Sequence, residues 1–374
     1  MNRTDAIALQ QRLLDHISSN SCDLADTSVS VPAEQFTDQA RHTAETQRLF
    51  RDTPQVIGFA GEVAHADDYI TRDILDVPVL VTRDQSGQLR AFVNACAHKG
   101  ARVAQGAGNR ARLVCRFHGW SYNSDGSLHA RPQDQCFETA SELCGLTPLP
   151  VSERSGLIVV SINPAGSQRA VDQFLQSIEP QFSGFRFNQR VYVDERRLSV
   201  KANWKLVTGL SLESYHFRTL HRDSVATMLH DNFVYDTFGQ HSRWAFPLKG
   251  FDNTLRDKDS AQWPEQLAGA ISHVLFPGTV VIVNPADAQI IRAEPGDTPG
   301  ESVVHFLGVR DTQTDPEAAK KTFEFGLDVF ANEDLPAAAE CQQGLAAGRD
   351  RIFIGANEPV VQHAHRVWDA ALRD

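Results

Sequence analysis

Two cysteines and two histidines occur in two closely spaced pairs, a pattern typical of metal ligands. Cys96 and His98 form the first pair, and Cys115 and His118 form the second pair after sixteen intervening residues. Two thiolates and two imidazoles suit either a structural zinc ion or a Rieske [2Fe–2S] cluster, in which two histidines replace two cysteines on one iron. Ligand type and spacing leave both metals open and disfavour a set of unrelated buried side chains.

A second candidate metal site lies in the segment from Asn203 to His221. On a helix with about 100° per residue, Glu213, His216 and His221 would lie at about 0°, 300° and 80°. They converge only if the helix is distorted or ends near the second histidine. Two histidines and one carboxylate form the facial arrangement that holds Fe(II) for O2 activation, so geometry alone allows Glu213 as a ligand. The alternative is an ordinary solvated helix face.

The elements expected around the cysteines are short strands, preceded by helices. Helical spacing predicts a helix over residues 5–17 and a second helix after Ser30. The pattern then changes, with strands predicted over 77–82 and 89–93 around a tight turn. Short strands continue to about residue 162, so this half of the chain is predicted to be mostly β.

The second half combines an antiparallel sheet with helices. Trp204 to His221 is predicted to be largely helical, and 316–348 to be helical with a break near Asn332 and Pro336. Strands are expected over 190–200, 280–283, 289–293 and 303–309.

Composition narrows the class of protein. The 374 residues carry a net charge of −11 and are 41% apolar and 22% charged, which argues for a globular fold and against nucleic-acid or anionic-membrane binding. Six scattered cysteines and no secretory signal indicate a reducing compartment, and a cytoplasmic location is expected. The sequence lacks phosphate-binding and dinucleotide-binding fingerprints, so any nicotinamide or flavin must belong to another polypeptide.

The residues around the first four ligands resemble a known domain. The segments Cys96-Ala-His98-Lys-Gly and Cys115-Arg-Phe-His118-Gly-Trp-Ser-Tyr resemble the Rieske domain of the non-haem iron (ring-hydroxylating) oxygenase α subunits. The resemblance implies that the two cysteines hold one iron of a [2Fe–2S] cluster and the two histidines hold the other. It covers roughly residues 50 to 350.

The second site resembles the mononuclear-iron motif of the same oxygenases. Asn-Trp-Lys, followed by an acid, His216 and His221, matches that motif in order and spacing. The resemblance implies that Glu213 is not a ligand but bridges, across a subunit interface, to a Rieske histidine. A glutamate at this position resembles the subgroup that includes choline, betaine and carnitine monooxygenases. Leu210 departs from the family, in which many members carry an asparagine near the iron.

A downstream aspartate is implied as the third iron ligand. Glu333-Asp334, followed by Gln343-Gly-Leu, resembles a segment of that subgroup, so Asp334 is the candidate and Asp328 is the alternative. The resemblance implies an α+β fold, with an antiparallel-β Rieske domain and a helix-grip (StAR-related) catalytic domain. The expected division is a helical segment at 1–49, the Rieske domain at 50–160 and the catalytic domain at 161–374.

The implied protein is the terminal oxygenase of a multicomponent system. It would use O2 and electrons from a separate NAD(P)H-dependent reductase of the flavin and iron-sulfur type. The substrate would be a small molecule, either an aromatic compound or a quaternary amine, which is hydroxylated or dealkylated. The family assembles as homotrimers, so each cluster would serve the iron of a neighbouring subunit. Two alternatives remain: a Rieske electron carrier with a non-catalytic second half, and a zinc-stabilised ligand-binding protein.

Overall fold

The structure, a computed structural model, describes residues 1–373 and groups them into two compact units. The first unit comprises Met1–Phe50, Ser177–Phe185 and the chain from Tyr192 onward; the second comprises Arg51–Gln176 and Arg186–Val191. The α-helices over the described residues are α1 (Arg3–Ser19), α2 (Glu34–Thr37), α3 (Gln39–Glu45), α4 (Gln168–Gln173), α5 (Trp204–Leu210), α6 (Phe251–Leu255), α7 (Pro316–Val329), α8 (Leu335–Ala346) and α9 (Pro359–Ala371).

Both units contain β-strands. In chain order they are β1 (Val29–Pro32), β2 (Gln55–Phe59), β3 (Asp68–Ile74), β4 (Val77–Arg83), β5 (Leu89–Val93), β6 (Ala107–Asn109), β7 (Leu113–Val114), β8 (Ser121–Tyr122), β9 (Leu128–Ala130), β10 (Pro148–Leu149), β11 (Val151–Arg154), β12 (Leu157–Val160), β13 (Val191–Val200), β14 (Val234–Phe238), β15 (His241–Pro247), β16 (Gly269–Leu275), β17 (Thr279–Val283), β18 (Asp287–Pro295), β19 (Ser302–Arg310) and β20 (Arg351–Ile354).

The second unit is built from small antiparallel sheets. One sheet has the strand order β10-β5-β4-β3-β6, a second has β11-β12-β2, and a third has β7-β8-β9. The first two enclose an aliphatic core that includes Ile70, Val79, Val81 and Ile158. A separate cluster contains Cys96, Cys115, Trp120 and Tyr122, so the cysteine loops are anchored in their own core.

The first unit is organised around one large sheet with the order β13-β19-β18-β17-β16-β15-β14. Neighbouring strands from β14 to β19 pair antiparallel, as in a meander. Helix α7 packs on β19, because the small Gly308 on that strand leaves room for the ring of Phe323. The mixed architecture with antiparallel sheets in both units confirms the predicted α+β class.

One local prediction was right only in part and another was wrong. Helices follow Ser30 as expected, but they begin at Glu34, because Val29 to Pro32 form strand β1 and pair with Arg351 to Ile354 of β20, a distant partner that local spacing cannot reveal. The expected helix from Trp204 ends at Leu210 rather than near His221. After Gly209 the backbone bonds tighten to the i to i+3 pattern, since Leu212 N–H donates to Gly209 O, and the chain continues as turns.

The predicted break in the C-terminal helix is a widened turn. A π-helical segment at Phe330–Asp334 joins α7 to α8, and Pro336 lies in the first turn of α8. Because proline has no N–H, it cannot donate the ordinary i to i−4 bond, and the ladder must reorganise just before it. No helix over the described residues is both long and apolar enough to cross a membrane.

Buried histidines of the first unit make the protein sensitive to acid. Burial lowers the pKa of His273 and of His365 to about 3, and that of His305 to about 4. An unfolded chain binds these protons near pH 6.5. The stabilising effect of keeping these histidines neutral is therefore fully present above about pH 6.5. As the pH falls toward its folded pKa, each histidine lowers the free energy of unfolding by up to about 1.4 kcal/mol per pH unit.

We expect the free energy of unfolding, measured in urea, to fall steeply between about pH 6.5 and 4.5. His273 packs against the rings of Phe182 and Phe185. The variant His273→Leu should make the slope shallower by about 1.4 kcal/mol per pH unit. An unchanged slope in this variant would show that His273 titrates normally in the folded protein.

Candidate metal centres and substrate cavity

The two cysteine loops share one backbone device. In each loop a glycine lies four residues after the cysteine, and its N–H donates to the cysteine carbonyl: Gly100 to Cys96 at 2.8 Å and Gly119 to Cys115 at 3.0 Å. Both glycines have positive φ, +76° and +75°, which side-chain-bearing residues rarely adopt. The glycines therefore close both loops tightly, which is why Cys-x-His and Cys-x-x-His produce equivalent turns.

The loops bring two thiols and two imidazoles to one place. Cys96 and Cys115 are buried and unbridged, while the rings of His98 and His118 stand 4.5 Å apart between centroids. His98 Nδ1 is buried and has no hydrogen-bond partner in the part of the chain that the structure describes. An unpaired buried nitrogen beside a second imidazole and two thiols is a donor set that fits a [2Fe–2S] cluster of the Rieske type.

Aromatic side chains pack around the four candidate cluster ligands. Trp120 stacks on His98 with 5.1 Å between centroids and an interplanar angle of 5°. The Tyr122 hydroxyl contacts Cys96 Sγ at 3.1 Å and accepts from Ala97 N–H at 3.0 Å. Burial raises the pKa of the Cys96 thiol, although the Tyr122 hydrogen bond opposes that effect. A bound cation would stabilise the thiolate form of this side chain.

The second centre joins three residues from two distant segments. Ligand atoms of His216, His221 and Asp334 all lie within 4.8 Å of one another. Asp334 Oδ1 lies 3.2 Å from His221 Nε2 and 3.6 Å from His216 Nε2. This oxygen is buried and forms no hydrogen bond with the described residues. Two imidazole nitrogens converging on an unpaired carboxylate fit a mononuclear iron with open positions.

Two breaks in regular helix create this arrangement. Because α5 ends at Leu210, His216 and His221 lie in turns beyond the helix, and the centroids of their rings are 4.8 Å apart. The π-helical turn contributes Asp334, which is 7% exposed. The alternative acid, Asp328, is exposed and accepts a hydrogen bond from Asn332, so the structure does not bring it to the histidines.

A carboxylate holds the outer nitrogen of each histidine. Glu213 contacts His216 Nδ1, and Glu333 Oε2 lies 2.7 Å from His221 Nδ1. These contacts fix the ring orientations and direct Nε2 toward Asp334. Burial acts to lower the pKa of His221, but the carboxylates of Asp334 and Glu333 outweigh it and raise the pKa. The negative charge of these carboxylates favours a bound cation.

Glu333 was missed by sequence reasoning as a functional residue, although its position beside Asp334 was a usable signal. Its carboxylate also accepts from the Ser224 hydroxyl at 2.8 Å. We expect Glu333→Ala to weaken iron binding by about 10- to 100-fold, because the His221 ring loses its orienting partner. Glu333→Gln should retain most of the affinity, since an amide oxygen still accepts from Nδ1–H.

Titration of apoprotein with Fe(II) against a competing chelator measures this effect. Glu340 is an exposed acid on α8, so Glu340→Ala is the matched control and should bind iron as the unchanged protein does. Equal iron affinity in Glu333→Ala and the control would remove the positioning role of Glu333.

The second centre opens onto an apolar cavity of about 380 Å³ in the first unit. His216, His221 and Asp334 form part of its wall, and Leu210 lies beside them. The remaining wall is largely aromatic and aliphatic, with Phe217, Trp244, Phe246, Phe306, Phe325 and Phe330 among its residues. A concave apolar site with a few polar groups is typical of small-molecule binding.

Comparison with known proteins agrees with both centres. Residues 187–374 match the family described as ring hydroxylating alpha subunit (catalytic domain), and residues 53–147 match the Rieske [2Fe-2S] domain. The carnitine monooxygenase oxygenase subunit of Escherichia coli (strain K12) is 24% identical over 380 residues, which covers 96% of this chain and 98% of that relative.

Solved structures share the fold over most of the chain. The quaternary ammonium Rieske monooxygenase CntA in complex with L-carnitine has a TM-score of 0.76 at 20% identity, covering 91% of this chain and 94% of that one. Naphthalene 1,2-dioxygenase from Rhodococcus sp. bound to indole has a TM-score of 0.74 at 18% identity, covering 98% of both chains. The two structures hold bound molecules of different chemistry on one fold.

The family matches decide between the alternatives left open by spacing. A Rieske domain indicates a [2Fe–2S] cluster rather than zinc at the first centre, and a catalytic domain of the mononuclear-iron type excludes a simple electron carrier. Such subunits depend on a separate reductase and act on small molecules. The chain belongs to the ring-hydroxylating α-subunit family and is the terminal oxygenase component of a Rieske-type system, with a [2Fe–2S] cluster and a mononuclear iron as cofactors.

Proposed function

We propose that this oxygenase hydroxylates or oxidatively dealkylates a small aromatic compound or quaternary amine. The observation that carries the proposal is the convergence of His216, His221 and Asp334 at the wall of an apolar, aromatic-lined cavity. Aromatic faces bind both flat rings and quaternary ammonium groups, so the lining suits either substrate. The relatives named for carnitine and naphthalene act on one of each kind.

We assign the metal ligands as follows. Cys96, His98, Cys115 and His118 hold the [2Fe–2S] cluster, and His216, His221 and Asp334 hold Fe(II). When bound, the iron supplies O2 activation at its open coordination positions. The protein's own residues orient the two imidazoles through Glu213 and Glu333 and exclude water with the aromatic wall. The electron donor is an NAD(P)H-dependent reductase of the flavin and iron-sulfur type.

The division of the chain follows the same assignment. Residues 50–160 form the Rieske domain, 161–374 form the catalytic domain, and 1–49 are a helical N-terminal segment. The family matches at 53–147 and 187–374 support this division in outline, whereas the compact unit that holds the Rieske motif extends to Gln176 and residues 1–50 group with the catalytic half. All six cysteines are free, which supports a cytoplasmic location.

The functional assembly in this proposal is a homotrimer in which Glu213 bridges to a Rieske histidine of the neighbouring subunit. Two observations support this role for Glu213: its carboxylate contacts His216 Nδ1, and its side chain is partly exposed. The neighbouring Tyr215 is 73% exposed, which leaves an aromatic surface beside the bridge for a second copy to cover.

Two inactive variants test this bridge when they are combined. Cys115→Ser removes a cluster ligand and Asp334→Ala removes an iron ligand, so each homotrimer should be inactive. Co-expressed chains should form mixed trimers that regain a measurable part of the wild-type turnover, because one chain's cluster serves its neighbour's iron. Adding Glu213→Gln to the Asp334-intact chain should abolish the recovery. Absence of any recovery in purified mixed trimers would contradict electron transfer between subunits.

The reaction itself is tested with a surrogate reductase. Substrate-dependent consumption of NAD(P)H and O2, with a product heavier by one oxygen or lighter by one alkyl group, is the expected result. A substrate panel containing aromatic compounds and quaternary amines with no coupled turnover of any member would contradict the proposed substrate classes.

A further inference from the structure

Arg131 is a buried cation close to the first metal centre. Its side chain is 4% exposed, and its guanidinium carbon lies 5.4 Å from the ring centroid of Trp120 and 4.7 Å from that of Phe137. Trp120 in turn stacks on the ring of His98, with 5.1 Å between centroids. Together the distances through Trp120 keep the guanidinium carbon within about 10.5 Å of the centre of the His98 ring, close enough for a buried charge to act there.

Polar contacts fix the guanidinium between the two aromatic rings. Nη2 donates to the carbonyl of Thr139 at 2.7 Å, Nη1 donates to Cys144 Sγ at 3.4 Å, and Nε forms an ion pair with Asp134. The three nitrogens of the planar group therefore have separate partners, so the charge is held in one position. These residues and His98 all belong to the second unit.

The counter-charge on Asp134 does not cancel this cation at His98. The Asp134 side chain is 71% exposed, whereas the Arg131 side chain is buried. Water screens an exposed charge more strongly than a buried one, so the net potential that the pair creates at His98 is positive. At about 10 Å and an effective dielectric constant of about 20, one unit charge shifts an equilibrium roughly tenfold. Partial compensation by Asp134 leaves an effect of at least about threefold.

We propose that Arg131 raises the reduction potential of the [2Fe–2S] cluster. One electron that enters the cluster from the reductase adds one unit of negative charge, and a nearby buried cation stabilises that reduced form. The potentials of iron–sulfur clusters depend on such charges and on solvent exposure. This inference rests on the proposed assignment of the cluster ligands and is independent of the substrate.

Redox titration of the holoenzyme tests the proposal, with dithionite and mediators and with the visible absorption of the cluster as the signal. Arg131→Met should lower the equilibrium constant for reduction at least about threefold, which is about 30 mV for a one-electron couple. Asp134→Asn should raise that constant by a smaller factor, because it removes a screened negative charge and leaves the buried cation in place.

The opposite signs separate an electrostatic role from a packing role. Both variants break the same ion pair, so a purely structural contribution of that pair would shift the potential in the same direction in both. Shifts of the same sign, or an unchanged potential in Arg131→Met, would overturn the proposal. Should Arg131→Met fail to hold the cluster, Asp134→Asn decides alone: a raised potential supports the proposal and a lowered one contradicts it.

Arg112→Met is the control for net charge. Arg112 lies in the same unit, is exposed, and donates to the carbonyl of Ala111. Its removal changes the net charge by the same amount as Arg131→Met, but water screens it, so the shift should stay below about threefold. An equal shift in Arg112→Met and Arg131→Met would show that overall charge sets the potential and would overturn the role of the buried cation.

These titrations need neither substrate nor turnover. A wild-type protein without a reversible one-electron transition of the cluster would contradict the assignment of the cluster ligands, and the role of Arg131 with it. A protein that has this transition, but whose potential does not respond to Arg131→Met, would contradict the role of Arg131 and leave the proposed function intact.

Discussion

Asp334→Ala should lose all detectable turnover and lower the iron content from about three to about two ions per chain. The reason is geometric: among the residues that the structure describes, Asp334 Oδ1 is the carboxylate oxygen that lies near Nε2 of both His216 and His221. Two imidazoles alone leave Fe(II) weakly held. The visible absorption of the [2Fe–2S] cluster should persist, because its four ligands belong to another part of the chain.

Asp328→Ala is the matched control for this loss. Asp328 lies in α7, is exposed, and contacts Asn332 rather than a histidine. Its removal should leave both the iron content and the turnover near wild type. Full iron content in Asp334→Ala, measured by metal analysis after gel filtration, would exclude Asp334 as a ligand and return the role to another acid.

Glu45→Gln should destabilise the first unit by about 3–5 kcal/mol, because it leaves a buried ammonium without its counter-charge. The side chains of Glu45 and Lys205 are both 0% exposed and form an ion pair. Glu45 also accepts from Trp204 Nε1 at 3.0 Å and from Arg41 Nε at 2.8 Å. Burial lowers the pKa of Lys205 to about 8, and the Glu45 carboxylate opposes that effect.

This network ties α3 to the first turn of α5, directly upstream of the iron segment. Urea unfolding of Glu45→Gln, Lys205→Met and the double variant measures it, and the double variant should be more stable than Glu45→Gln alone because no charge remains buried. The surface pair of Lys201 and Glu301 is the control, and Glu301→Gln should change the free energy of unfolding little. A cost this small for Glu45→Gln would contradict the buried-charge argument.

The network also explains a motif whose role the sequence left open. Asn-Trp-Lys marks the start of α5: Asn203 caps the helix by accepting from Lys205 N–H at 3.0 Å, and Trp204 and Lys205 share Glu45. Glu45 lies 160 residues away in the chain. Its partnership with the motif therefore depends on the tertiary fold and has no local signal.

The sequence by itself determined the chemistry of the protein. Cys96, His98, Cys115 and His118 could be proposed as ligands because their spacing follows from one short turn, and the spacing of His216 and His221 is likewise local. The strands β4 and β5 followed from alternating apolar residues and a tight turn, and the α+β class followed from the resemblance to a known family. Local geometry of this kind depends on a few neighbouring residues, so it can be predicted without the tertiary structure.

Only the tertiary structure decided which distant groups complete those sites. It brought Asp334 rather than Asp328 to the histidines, because a π-helical turn re-aims the helix there. It placed Glu333 behind His221 and set Trp244 opposite Ser272. These pairings depend on sheet register and on breaks in helices, where a shift of one residue turns a side chain to another face. Tertiary interactions along the whole chain determine the strand register and the positions of the helix breaks, so a local sequence pattern cannot predict these pairings.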